Sequence, residues 1–179
     1  VFEAAPIHYA VAKIFGPLLF GRGWCGYACW TAAVLDLLPF KTPKEPRKTF
    51  GWLRYVTFAA SLIFVAALFL AHVGDLEKIM FWALLIGNAV YYAAGIALAY
   101  RFRDNRAFCK YLCPITVFLR PMSRFALVRV KCDREKCISC GKCRRVCPMN
   151  LDPASNARSN SSECILCMEC VKACPKKAL

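Results

Sequence analysis

The sequence predicts a membrane-embedded α-helical region that gives way, in the last third of the chain, to a small cysteine-rich domain. Three observations predict it: two long runs without a formal charge, basic residues gathered in the joints between apolar runs, and one cysteine spacing written twice near the end. A chain of 179 residues with a net charge of +14 and a mean hydropathy of +0.41 has to segregate its apolar and basic residues in this way.

The chain begins at Val1 rather than Met, so part of its N-terminus is expected to be missing. The stretch up to Phe20 lacks a signal-peptide layout: it contains Lys13 and runs into Gly21-Arg22-Gly23 instead of a small-residue cleavage site. Its apolar part, Ile7 to Phe20, is short and interrupted by Gly16-Pro17, which fits a half-helix, a re-entrant segment or the end of a spanning helix. Trp24 to Phe40 is expected to be a helix at the cytoplasmic interface, ended by Pro39 and the "KTPKEPRK" linker, whose prolines exclude a regular helix. The linker's cations suit anionic headgroups.

Tyr55 to Ala71 and Ile79 to Tyr100 then carry seventeen and twenty-two residues without a charge, enough for two transmembrane helices. Gly87, Asn88 and Gly95 of the second are expected to permit close helix packing. The connector "HVGDLEK" is slightly acidic, whereas the far ends carry Lys41, Lys44, Arg47, Lys48 and Arg54 on one side and Arg101, Arg103, Arg106 and Lys110 on the other. The positive-inside rule places those basic ends, and all that follows Tyr100, in the cytoplasm. His8 and His72 are read as interfacial packing residues.

The tail reads "CISCGKCRRVCP" from Cys137 and "CILCMECVKACP" from Cys164, the same C-x2-C-x2-C-x3-C-P run twice. A tight loop can supply three thiolates to a cubane cluster with its amide hydrogens turned to the sulfides, while the cysteine before proline approaches the other cluster. Ligation therefore crosses between the repeats. Cys137, Cys140, Cys143 and Cys174 form one set, and Cys147, Cys164, Cys167 and Cys170 the other. Zinc sites use paired C-x2-C units rather than triple runs, and a cytoplasmic location disfavours disulfides.

Residues 126–179 resemble a bacterial-type ferredoxin with two 4Fe-4S clusters, which implies a small α+β domain of two short hairpins and two short helices behind a membrane domain of residues 1–125. A final strand has little room after Cys174, so this end is expected to be trimmed too. Such a small domain draws much of its folding energy from cluster binding.

Of the remaining cysteines, Cys25, Cys29, Cys109 and Cys113 form two C-x3-C pairs, "CGYAC" and "CKYLC", each after an apolar segment near the cytoplasmic interface. On a helix, positions i and i+4 lie about 40° apart, so each pair would present both sulfurs on one face. Three readings stand: a further iron–sulfur cluster at the membrane edge, a redox-active dithiol pair, or inert or lipidated cysteines. Cys132 has no partner at ligand spacing and is read as structural.

This order of motifs resembles the membrane-anchored polyferredoxins, which include the quinol-oxidising ferredoxin subunit of the periplasmic nitrate reductase system, the membrane regulator of nitrous-oxide reductase and a cytochrome-oxidase assembly ferredoxin. Members carry Pro after both C-x3-C pairs; here Pro114 follows Cys113, but Trp30 follows Cys29. The resemblance implies a multi-pass protein of the prokaryotic cytoplasmic membrane, its ferredoxin domain in the cytoplasm, relaying electrons between the quinone pool or a soluble carrier and a partner redox enzyme. An assembly factor or metal reductase, and a redox-sensing regulator, are the alternatives.

In a continuous helix Asp36 shares a face with Cys25 and Cys29 and would take a proton from a quinol, or else pair with a nearby cation. Lys142, Arg144, Arg145, Lys172, Lys176 and Lys177 give the ferredoxin face a basic character suited to an acidic redox partner. With no recognition motif, nucleic acid is not an expected partner.

Overall fold

The computed structural model describes residues 14–43, 46–71, 76–156 and 162–179. His8 and His72 lie outside the described residues. The chain enters the described region on helix α1 (residues 14–20). Gly21 ends it in the left-handed region (φ 57°), its N–H donating to the Pro17 carbonyl at 2.9 Å, a helix stop that glycine takes without strain. The terminal carbonyls of Leu18 and Leu19, unpartnered within a helix, accept from Leu127 and Val128 N–H at 3.0 and 2.9 Å.

The single helix expected over Trp24 to Phe40 is two short ones, α2 (Gly23–Tyr27) and α3 (Trp30–Leu35), broken at Cys29, which is extended at φ −82°, ψ 116°. The break has a local cause. In an unbroken helix the Cys25 carbonyl would accept from Cys29 N–H, but the Arg106 guanidinium takes it, Nη1 donating at 3.0 Å. Asp36 therefore does not share one helix face with Cys25 and Cys29.

A 3-10 turn at Phe50–Trp52 opens α4 (Leu53–Leu70), and α5 spans Leu76–Phe102. These helices take in nearly all of the two uncharged runs and are about 27 and 40 Å long at 1.5 Å per residue. Both are long and apolar enough to cross a membrane, and only 6% of each apolar window is buried within the chain. A soluble core helix would hide that surface; here Ile63, Phe64, Phe69, Phe81, Trp82 and Ile86 are exposed. Gly95 admits Leu35 of α3 to within 3.2 Å of where a Cβ would stand, as close packing requires, whereas Gly87 faces no neighbour among the described residues. It borders a cleft of about 770 Å³ between α4 and α5.

The basic ends of the two long helices come together. Phe50 stacks near Phe102 (6.3 Å) and Tyr111, and Asn105 stitches the second joint to the first: its side chain accepts from Phe40 N–H at 3.1 Å and donates to the Leu38 carbonyl at 2.7 Å. Helices α6 (Ala107–Tyr111) and α7 (Thr116–Ser123) follow, then a stretch of turns and irregular chain, then α8 (Lys142–Arg145) and α9 (Glu169–Lys172), which pack on each other.

The tail is not an α+β domain. Among the described residues it is short helices, turns and loops with no β-strand. The reason is visible at Cys132, whose N–H and carbonyl are both taken by the Asn156 carboxamide, at 2.7 and 2.8 Å. A side chain thus occupies the groups that a strand partner would use, leaving the Asp133 N–H to Ala178 carbonyl bond (2.7 Å) without a ladder around it.

Candidate functional site

The two cysteine runs fold alike. In each, the second spacer residue before the next cysteine is left-handed (Ser139, φ 52°; Leu166, φ 53°), as is the residue after that cysteine (Gly141, φ 69°; Met168, φ 60°). The third cysteine of each run lies on a four-residue helix, α8 or α9. Leu166 and Met168 hold this conformation without glycine's freedom, a backbone cost on the order of 1–3 kcal/mol each that is met at sites where the loop is fixed by function. Alternating hand is also how successive amides converge on an anion.

Two cavities result, and each is lined by cysteines of both runs. Cys147 joins Cys164, Cys167 and Cys170 around an inner cavity of about 250 Å³. Cys174 joins Cys137, Cys140 and Cys143 around an outer one of about 350 Å³, whose rim carries Arg134, Lys142, Arg144 and Lys176. The last thiol of each run accepts from the amide four residues on, Cys147 from Leu151 at 3.4 Å and Cys174 from Ala178 at 3.3 Å. Among the described residues no three His, Cys, Asp or Glu side chains close on a single metal ion. Four thiols spread round a cavity, with amides turned to their sulfurs, suit a cluster better than one ion. Burial pushes the Cys170 thiol up to about 12, so without iron it is neutral at pH 7.

Cys132, read from its spacing as structural, is buried beside Cys137 and is a fifth thiol on the outer cavity. Its spacing from Cys137 has no equivalent in the second run, so the repeat gives no sign of it.

The C-x3-C pairs meet at the base of the long helices. Cys25 is the third residue of α2 and Cys109 the third of α6; Cys29 and Cys113 each lie just past their helix. Pro114 and an Arg22 Nη2 bond to the Cys109 carbonyl (3.3 Å) stop α6, as Arg106 stops α2. The two sulfurs of a pair are therefore not side by side on a helix. Burial, then neighbouring thiols, push Cys109 up to about 12, and burial likewise lifts Cys113 to about 11. As free groups they are neutral thiols, poor nucleophiles for dithiol exchange. Asp36 is held by Arg106, 2.5 Å from Nη2, with its side chain 43% exposed.

The first C-x3-C segment is in contact with the inner cavity. Cys25 packs in one core with Leu119, Met149, Leu151 and Ile165, against Cys147, Cys164 and Cys167. Gly26 lies so close to the second run that a Cβ would stand 2.3 Å from the Ile165 carbonyl oxygen. Tyr27 donates to the Leu166 carbonyl at 2.8 Å, and the buried Lys110 binds Asn150 and, at 2.6 Å, Asp104.

Glu163, just before Cys164, ties the parts together. The buried carboxylate is paired with Arg22, Arg47 (3.1 Å), Arg54 (3.1 Å) and Arg120 (3.3 Å), from α2's cap, the linker, α4 and α7. Burial alone would raise its pKa; the arginines, Arg22 foremost, hold it below the usual carboxylate range. A lone acid in a serine-rich stretch gives no hint of this in the sequence.

Residues 129–175 match the 4Fe-4S dicluster domain family, and residues 9–42 with 79–132 match the 4Fe-4S binding domain family, a match that takes in both C-x3-C pairs. The chain is 31% identical over 140 residues to an uncharacterized protein of Methanocaldococcus jannaschii, covering 73% of this chain and 53% of that one. It is 27% identical to the methylamine utilization ferredoxin-type protein MauN of Paracoccus denitrificans (75% of this chain, 51% of the relative) and 28% identical to MauN of Methylorubrum extorquens (81% and 54%). The chain thus spans about half the length of these curated relatives. No solved structure matches it significantly.

Proposed function

We propose that this chain, which carries ferredoxin-type 4Fe-4S domains and is homologous to the MauN ferredoxin-type proteins, is an iron–sulfur electron-transfer protein that serves as a membrane-anchored subunit of the polyferredoxin kind. One observation carries this reading: the inner four-cysteine cavity shares a core with Cys25, at the foot of two long helices whose apolar faces are exposed. When bound, the iron–sulfur groups supply one-electron redox chemistry.

The chain's own residues give that chemistry a direction in space. Cys25, Cys29, Cys109 and Cys113 hold a further cluster at the membrane edge; Cys147, Cys164, Cys167 and Cys170 hold the inner one; Cys137, Cys140, Cys143 and Cys174 hold the outer one. Trp24, Tyr27, Trp30 and Trp52 are exposed beside the membrane-edge thiols, as interfacial aromatics are. The basic joints lie on the cytoplasmic side of the prokaryotic cytoplasmic membrane, and the cationic rim of the outer cavity receives an acidic redox protein. Quinone or a partner subunit exchanges electrons at the membrane edge, where Asp36 is the counter-ion of Arg106. The metal-reductase alternative draws less support, since Cys25 and Cys109 are buried and burial raises the pKa values of Cys109 and Cys113.

Iron and acid-labile sulfide in the purified full chain, with paramagnetic resonance of the reduced protein, test the proposal. About twelve irons per chain are expected; about eight, with signals untouched by Cys25→Ala and Cys109→Ala, would remove the membrane-edge cluster. Absence of iron altogether would end the electron-transfer reading.

A further inference from the structure

We infer that Arg22 and Arg106 are reciprocal positioning residues for the membrane-edge thiol site, and that Arg22 also supplies the positive charge that balances an anionic iron–sulfur group held there. The inference rests on the reading above that Cys25, Cys29, Cys109 and Cys113 bind a cluster.

The two segments are a second internal repeat. Arg22-Gly23-Trp24-Cys25-Gly26-Tyr27-Ala28-Cys29 and Arg106-Ala107-Phe108-Cys109-Lys110-Tyr111-Leu112-Cys113 share an arginine, a small residue, an aromatic, the first cysteine, a tyrosine and the second cysteine in register. Each arginine caps a five-residue helix in the same backbone conformation (φ −90°, ψ 22° and φ −99°, ψ 9°). Their bonds cross: Arg22 donates to the Cys109 carbonyl at 3.3 Å and Arg106 to the Cys25 carbonyl at 3.0 Å. Each carbonyl is the one that a continuing helix would offer to the second cysteine of its own segment. The arginine of one half thus ends the helix of the other and frees its second cysteine to leave the helical position.

The two arginines differ in charge balance. Arg106 has Asp36 at 2.5 Å. Arg22 is fully buried and shares the carboxylate of Glu163 with Arg47, Arg54 and Arg120, so that among the described residues four cations face one anion. Its Nε is buried without a hydrogen-bond partner among the described residues, although Nη1 and Nη2 are both engaged. The thiols of Cys25, Cys109 and Cys113 are within electrostatic reach of this guanidinium. A buried surplus of positive charge with a spare N–H donor calls for an anion. Four thiolates on an iron–sulfur core are one, and hydrogen bonds and charge near the sulfurs set its potential.

The test uses the full chain purified in detergent, with iron content and a redox titration followed by paramagnetic resonance. Arg22→Gln is expected to lower the midpoint of the membrane-edge signal by at least about 59 mV, a tenfold shift in a one-electron equilibrium, and to leave the outer signal in place. Arg22→Lys should keep the midpoint near the parent's but load less of this site, and Arg106→Gln should lose loading with little change in midpoint. Full loading and an unmoved midpoint in Arg22→Gln would overturn the charge role while the third site stands. If that variant does not fold, full loading in both Arg22→Lys and Arg106→Gln overturns the positioning role. About eight irons in the parent chain would remove the cluster reading itself, and this role with it.

Discussion

The inner and outer cavities are each lined by three cysteines of one run and the last cysteine of the other, and they differ in what backs them. The inner one is backed by Cys25, Leu119 and Met149 and lies next to the Glu163 web, while the outer one opens onto a cationic rim with Cys140 exposed. Similar ligand loops thus lie in two settings, one packed against the Cys25 core and one open beside the exposed Cys140. Since cluster potential follows solvent exposure and hydrogen bonding, a repeat can carry two different redox centres without changing a ligand.

The largest effect that would break this contrast is a change in ligand membership. Cys147→Ser should abolish the inner signal and spare the outer one although Cys147 belongs to the first run; loss of the outer signal instead would show that the runs do not cross. Gly26→Val comes next. Its side chain would collide with the Ile165 carbonyl, so the inner site should lose its iron while the outer signal persists, as seen by metal analysis and resonance.

Glu163→Gln leaves buried arginines without their counter-ion and should cost about 3–5 kcal/mol, read as earlier loss of the inner signal in a urea titration. The outer site has its own weak point. Asn156→Ala removes both partners of Cys132 and should cost about 1–3 kcal/mol, with the outer signal failing first. A variant that lost the inner signal first would contradict the division of labour.

Much of this molecule is legible in the period and spacing of its residues. A chargeless run as long as Ile79 to Tyr100 is too long for one strand and reads as a helix, and the doubled cysteine run points to two sets of four, which are among the residues lining the two cavities. What stays hidden depends on partners distant in sequence. No local signal tells that Arg106 will take the Cys25 carbonyl and break a helix at Cys29, or that the Asn156 carboxamide will stand in for a strand beside Cys132. The Glu163 web draws on four segments at once. The arginine three residues before each C-x3-C pair is in plain view, but its meaning needs the crossed bonds.

The web also has a history within each molecule's synthesis. Arg22, Arg47, Arg54 and Arg120 all leave the ribosome before Glu163 does. Until residue 163 is made, the preceding helices and their joints present four cations without their shared anion, and the segment that supplies it arrives together with Cys164. Delivery of that shared anion and of the second cysteine run are therefore the same event, so the arginines gain their common counter-ion only when the Cys164 loop is ready to be filled.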